Sequence, residues 1–359
     1  MQDKLKTFLV AVLAGGCSVV NAVEFTPSGR LHLAYAKHDS DRVQFDDRFL
    51  VRRAQLGFDV KFSHDWSAKF AYEFASGGSL KDGYLRYDGW KPAELSLGQF
   101  KVPFGLEELT SENDNSFVER SLLNSAFSLS RRKGIGLDNH GKKHSVAAMV
   151  FGASVGGNEG SGAAARVTYT PIKQGETLLH LGVSATTERP SGSVSFDARP
   201  ESLPTDPRLL RTGKISDVRR IDQLGLEAAW VKGPVSMQAE RMSSRLSRNL
   251  GKPDVDLQGW YVAGSWLLTG ESRDYRDGVF KGVTPSNERG AWELTARLSK
   301  LDLDDGAIGG GIEKNLTLGV NWYFRDHLRI MANYIQVSSD RLGISDNPNI
   351  LDLRAQLSF

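Results

Sequence analysis

The chain has 359 residues, 40% hydrophobic and 25% charged, with a formal net charge of +2. So small a net charge gives no sign of a nucleic-acid partner, and any electrostatic function must come from where the charges sit. A single cysteine excludes a disulfide framework within the chain.

The chain opens with MQDKLKTFLVAVLAGGCSVVNA, in which Lys4 and Lys6 precede an apolar run from Phe8 to Leu13 and then small residues. Val20 and Ala22 suit the −3 and −1 positions of a cleavage site, so residues 1–22 read as a secretory signal peptide and 23–359 as the mature chain. A lipoprotein signal ending at Cys17 is the alternative, although AGGC lacks the usual branched residue three before the cysteine. No later apolar run approaches the length of a transmembrane helix, which leaves a transmembrane β-barrel open.

Beyond the leader, period-2 alternation dominates and helical periodicity is scarce. About sixteen strands are predicted, near residues 30–37, 50–62, 66–75, 82–90, 93–101, 133–139, 144–152, 163–170, 177–186, 222–231, 235–243, 256–267, 290–301, 314–324, 328–337 and 350–359. In AQLGFDVKF (54–62), for example, Ala54, Leu56, Phe58, Val60 and Phe62 oppose Gln55, Gly57, Asp59 and Lys61. Tight turns such as SHD (63–65), KGP (232–234) and RDH (325–327) follow even-numbered runs, and longer polar loops follow most odd-numbered ones. An outer-membrane barrel has this asymmetry of short periplasmic turns and long outer loops. The long connection 268–289 is the exception. After the fifth run, GQFKVPFGLEELTSEN (98–113) breaks at Pro103, Phe104 and Gly105 and leads into a long mixed acidic insertion containing Glu107 and Glu108.

Alternation alone does not separate a soluble sandwich from a membrane barrel. Aromatics near strand ends favour the barrel: Trp66, Phe74, Tyr87, Trp90, Trp230, Trp292, Trp322, Tyr334 and Phe359 stand where an interfacial girdle would need them. The last run ends on Phe359, so the final strand can close the sheet without leaving an edge.

The segments GRLHLAY (29–35), RRAQLGF (52–58), GQFKVPFGLEELTS (98–111), LTGESRDY (268–275), GAWEL (290–294) and TLGVNWY (317–323) occur in an order that resembles the phosphate-selective porin O and P family. The resemblance implies an all-β, 16-stranded antiparallel transmembrane β-barrel in the bacterial outer membrane, assembled as a homotrimer. It also implies a third loop folded into the lumen, a later outer loop and one periplasmic turn folded in beside it, and arginines that select anions along the path. Residues 268–289 are then the inserted turn, and matching positions of Arg30, Arg52 and Arg53 contribute to an arginine ladder. Lysine follows the TS pair in phosphate-specific members, whereas here Ser111 leads to Glu112, Asn113 and Asp114.

The residues themselves support such a path. Parity sets Leu31 and Leu33 toward lipid, hence Arg30 and His32 toward the lumen; Ala54 and Leu56 likewise place Arg53 inward, and Lys69 faces inward on the third run. Arg52 breaks this parity unless a bulge lies there, and an Arg deep in the lipid face costs about 2–4 kcal/mol, so it belongs near the rim or turned inward. Lys101, Arg120, Arg131 and Arg132 lie on or beside the insertion, whose Pro103, Phe104, Gly105, Glu107 and Glu108 form the expected constriction. Arg199, Arg208 and Arg211 would extend the ladder if 187–221 folds inward; otherwise they meet lipid phosphates or water. Carboxylates on the insertion raise the barrier for anions unless paired with Arg or Lys.

Other motifs carry little. GASVG (152–156) matches a nucleophile elbow at Ser154 but lacks the following helix. DLDDGAIGGGIE (302–313) lacks the sixth-position glycine and helices of a calcium loop, and reads as an acidic barrel loop. The expectation is a porin without cofactor, metal or catalytic residues, embedded in outer-membrane lipid, passing phosphate, polyphosphate or other small anions. A weakly selective general porin and an outer-membrane β-barrel hydrolase are the alternatives.

Overall fold

The computed structural model describes residues 23–359 apart from 41, 43, 44, 156, 158, 204–207, 250 and 326; the leader read over 1–22 lies outside the described residues. Sixteen wall strands run in chain order: β1 Glu24–Asp39, β2 Arg48–Lys61, β3 Trp66–Glu73, β4 Ser79–Tyr87, β5 Glu94–Lys101, β6 Arg131–His140, β7 His144–Phe151 and β8 Ser161–Gln174. They continue with β9 Thr177–Arg189, β10 Val218–Lys232, β11 Val235–Arg248, β12 Val255–Leu267, β13 Ala291–Asp305, β14 Ile308–Phe324, β15 Leu328–Arg341 and β16 Asn349–Ser358. Each wall strand pairs antiparallel with the next, and β16 returns to β1 with Leu31 opposite Leu357. Gly29 and Phe359 exchange main-chain hydrogen bonds of 3.0 and 3.1 Å, so no sheet edge is left open.

The direction of the pleat distinguishes a membrane barrel from a sandwich. Leu56, Leu97, Ile135, Leu226, Leu298, Leu318 and Leu353 are exposed on the outside, while Glu227, Glu293, Arg297, Asn321 and Asn333 are buried inside. Apolar residues outside and polar residues inside is the arrangement of a wall bathed in lipid. At the short-turn end, Trp66 lies 4.8 Å from Tyr87 and Trp292 5.8 Å from Trp322, between ring centroids, as an interfacial girdle requires.

The acidic stretch 302–313, expected as a loop, is instead the tip of a long hairpin. β13 and β14 continue through it until Asp305 faces Ile308, and Gly306 takes φ 55° in the two-residue turn. The ladder satisfies main-chain groups that a loop would leave to solvent, and glycine supplies the left-handed turn position.

The interior is not an open tube. Residues 102–130, between β5 and β6, fold inward with two short helices, α1 Leu106–Leu109 and α2 Leu122–Phe127. Gly105 permits the entry: it has φ 79°, and a Cβ there would lie 2.5 Å from Met242 of β11. Ser121 caps α2 by accepting the Asn124 N–H. Phe104, Leu122, Leu123 and Phe127 then pack on Met242, Leu246, Leu257 and Tyr261 of the wall, forming an apolar core inside one half of the barrel. Phe196, Leu210 and Ile215 of the loop 190–217 join it. The turn 268–290 also enters the lumen, where Phe280 packs on Leu106, Ala229 and Val231.

Candidate functional site

The inward-facing charges divide into pairs that brace the inserted loop and cations left facing space. The β1–β2 register moves from His32 opposite Arg53 to Leu33 opposite Val51, so Arg52 is the extra residue of a bulge. That resolves the parity break: Arg52 and Arg53 both reach inserted-loop carboxylates. Arg52 makes a two-pronged contact with Glu119, at 2.7 and 2.9 Å, and Arg53 another with Glu112, at 2.6 Å for each prong. Arg120 also donates to Glu112, at 3.2 Å, and to the carbonyls of Glu107, Glu108 and Thr110. Lys101 donates to the carbonyls of Glu108, Leu109 and Thr110, closing the C-terminal end of α1. Burial would raise the Glu112 and Glu119 carboxyls, but the arginines outweigh it. Arg53 and Arg120 hold Glu112 well below the usual carboxylate range, and Arg52 and Arg354 bring Glu119 to about 2.

Glu107 and Glu108 do not stand in the path as bare charges. Glu107 accepts from Ser121 and pairs with Arg297 of β13 at 3.1 Å, and Glu108 pairs with Arg120 at 3.4 Å. Pro103 and Glu108 line a cavity inside the barrel, whereas Phe104 is buried behind it against the wall.

That cavity, of about 470 Å³, lies between the inserted loop and strands β1–β8. Nine Lys/Arg residues line it against five Asp/Glu. Arg30, Arg53, Lys69, Lys101, Arg120 and Arg131 are among the nine, so the structure brings these expected residues together. Arg131 is held by Asp82 at 2.8 and 3.1 Å, and Lys69 by Asp59 at 3.0 Å. Arg30 and Lys81 differ: among the described residues, neither guanidinium nor ammonium has a hydrogen-bond or ion-pair partner. Arg132 does not reach this cavity. It is 1% exposed, paired with Glu188 at 2.6 Å and donating to the Gly160 carbonyl, so it ties β6 to β9.

The loop 190–217 does fold inward, and of its three expected arginines it brings Arg199 to a lumen cavity but neither Arg208 nor Arg211. Arg208 pairs with Asp197 and Arg211 is exposed, because both belong to the small hairpin that pairs 197–198 with 210–211. Arg199 lines a second cavity, of about 360 Å³, with Arg52, Arg53 and Arg354. The group that crosses the lumen is Glu201. Its carboxylate accepts from Arg297, Ser299, Thr317 and the Leu122 N–H.

Sequence reasoning missed Lys81, Arg86, Arg166, Arg297, Arg329 and Arg354. Parity would have placed Arg297 inward, between lipid-facing Ala296 and Leu298, and Arg354 beside outward Leu353. No local pattern marks Glu201 as the partner of Arg297, or Glu119 as that of Arg354.

Comparison with known proteins agrees with this architecture. The sequence profile of the family described as phosphate-selective porin O and P matches residues 25–359. Porin O of Pseudomonas aeruginosa is 26% identical over 93% of this chain and 88% of its own length. In structure, a loop-deletion variant of OmpT, an outer membrane protein of Vibrio cholerae, aligns with a TM-score of 0.64 at 12% identity over 94% of this chain and all of its own. OmpT has also been described in a trimer form. An anion-selective porin from Comamonas acidovorans aligns with a TM-score of 0.59 at 14% identity, over 94% of this chain and all of its own.

Proposed function

The chain belongs to the phosphate-selective porin O and P family and is an outer-membrane porin, and we propose that it passes small anions, phosphate among them, by diffusion through the cation-lined cavity. The observation that carries this reading is the excess of Lys/Arg over Asp/Glu around that cavity, with Arg30 and Lys81 unpartnered among the described residues. Fixed positive charge in a narrow aqueous path lowers the barrier for anions and raises it for cations. Arginine remains charged, and its fork fits two oxygens of a phosphate or carboxylate. Arg53, Arg120 and Arg131, although paired, surround the same space. An ion can therefore exchange between several weak sites, a condition for conduction rather than tight binding.

The lock between wall and loop carboxylates supports the anion reading over a cation-passing one. Each glutamate of the 102–130 loop that would repel an anion is held by arginine. An assembly of three such barrels is part of the proposal, in line with the trimer form described for OmpT. Planar-bilayer recording tests the function: chloride current should be carried in preference to potassium, and added phosphate should reduce it. A cation-preferring reversal potential would remove the anion claim, and a chloride current indifferent to phosphate would leave a general anion porin. A barrel that hydrolyses a substrate and conducts nothing would favour the enzymatic alternative.

A further inference from the structure

The two cavities share part of their lining. Arg53, Glu112, Arg120 and Ser130 line both of them. Glu112 therefore sits on the boundary between the two cavities, and it sits there as an anion would. Both of its oxygens are gripped by the Arg53 fork at 2.6 Å, and Oε1 accepts from Arg120 at 3.2 Å. This is the geometry in which a guanidinium pair receives a phosphate.

The other loop glutamates are held differently. Glu107 is fixed by the Ser121 N–H and hydroxyl as well as by Arg297. Glu119 is clasped by Arg52 and Arg354 from β2 and β16, and lines the second cavity alone. Glu112 is the most exposed of the four, with 21% of its side chain accessible, and among the described residues its side-chain hydrogen bonds come from the two guanidinium groups alone. It follows Ser111 in a stretch between α1 and α2 that is neither helix nor strand, so its release costs no secondary structure.

We propose that Glu112 is a tethered occupant of an oxyanion seat formed by Arg53 and Arg120, and that permeating phosphate exchanges with it there. The inference rests on the anion-porin reading and names the residue that sets its specificity. With the carboxylate in place, the seat is neutral enough to release an ion quickly. With the carboxylate neutralised, the same fork holds a phosphate longer.

The test is phosphate block of chloride current in planar bilayers, comparing the full-length protein with Glu112→Gln. Glutamine keeps the shape and removes the charge. Half-block should fall to a phosphate concentration about tenfold lower, the effect of one lost competing interaction of ordinary size, and the preference for chloride over potassium should rise. Conductance at high salt, where fixed charge is screened, should match the unaltered protein. Equal half-block in both proteins, or a changed high-salt conductance with no tighter block, overturns the proposal. If Glu112→Gln does not assemble, Glu112→Asp, whose carboxylate falls one methylene short of the fork, should shift half-block in the same direction by less. A wild-type block curve for that variant also overturns it. The two readings fail separately. A cation-selective parent removes the anion-porin reading, whereas an anion-selective parent with an unaltered variant removes only the tether.

Discussion

Arg297 on β13 and Arg30 on β1 both reach the lumen, but they face different halves of it. Arg297 is fully buried between Glu107 and Glu201, over the Phe117 ring at 4.3 Å. Arg30 lines the cavity with no protein partner among the described residues. The half of the barrel bounded by β11–β15 is filled by loop side chains, and its charges are consumed as braces. The half bounded by β1–β8 keeps an open cavity and, among the described residues, leaves Arg30 and Lys81 without a partner. The same residue type is structural where a carboxylate meets it and available to ions where none does.

The contrast yields a ranked set of tests. Arg297→Ala should have the largest effect, because it strands two buried carboxylates, a loss of about 3–5 kcal/mol when one partner of a buried pair is removed. Thermal unfolding in detergent should show it, together with a wider and noisier pore; unchanged melting would mean that the filled half does not depend on this brace. Leu122→Ala removes a buried side chain between the loop and the wall and should cost about 2–5 kcal/mol. Protease cutting within 102–130 should accelerate while the wall strands stay protected.

Acid acts on the clasp between loop and wall. The Glu119 carboxyl titrates near 2 in the folded protein, against about 4.3 when unfolded. Its contribution is therefore complete above the unfolded value and is lost as pH falls through the folded one. Conductance should be the same at about pH 7 and about pH 5, with loop release setting in only on approach to about pH 2. Release at mildly acidic pH would contradict the arginine clasp. The smallest effect belongs to Arg211→Ala: exposed on a rim hairpin, it should change stability by less than about 0.5 kcal/mol and leave the reversal potential unmoved.

Much of this was legible in the sequence, because lipid outside and water inside impose a period of two on every wall strand. The sixteen strands, the break at Pro103 and Gly105, and the inserted turn at 268–289 followed from alternation, from turn residues and from the family resemblance. Arg52 shows where the pattern ends. Its parity was anomalous, and only the register shift between His32 and Leu33 turns both arginines inward. The pairing of charges was not legible. Arg297 with Glu107, and Glu201 with Ser299, join residues far apart in the chain, and no local period encodes such contacts. For that reason Arg132 and Arg208 looked like path residues and are instead neutralised by Glu188 and Asp197. Glu201 also holds φ 59°, a conformation uncommon outside glycine, which four hydrogen-bonding partners stabilise.

The most direct measurement is the reversal potential in a potassium chloride gradient for the unaltered porin and for the Arg30→Ala, Lys81→Ala double variant. The unaltered porin should sit toward the chloride equilibrium potential. The double variant should move toward zero with unchanged melting, because among the described residues the removed charges have no partner to brace. A reversal potential that stays put when both free cations are gone would contradict the claim that the open half of the lumen sets selectivity.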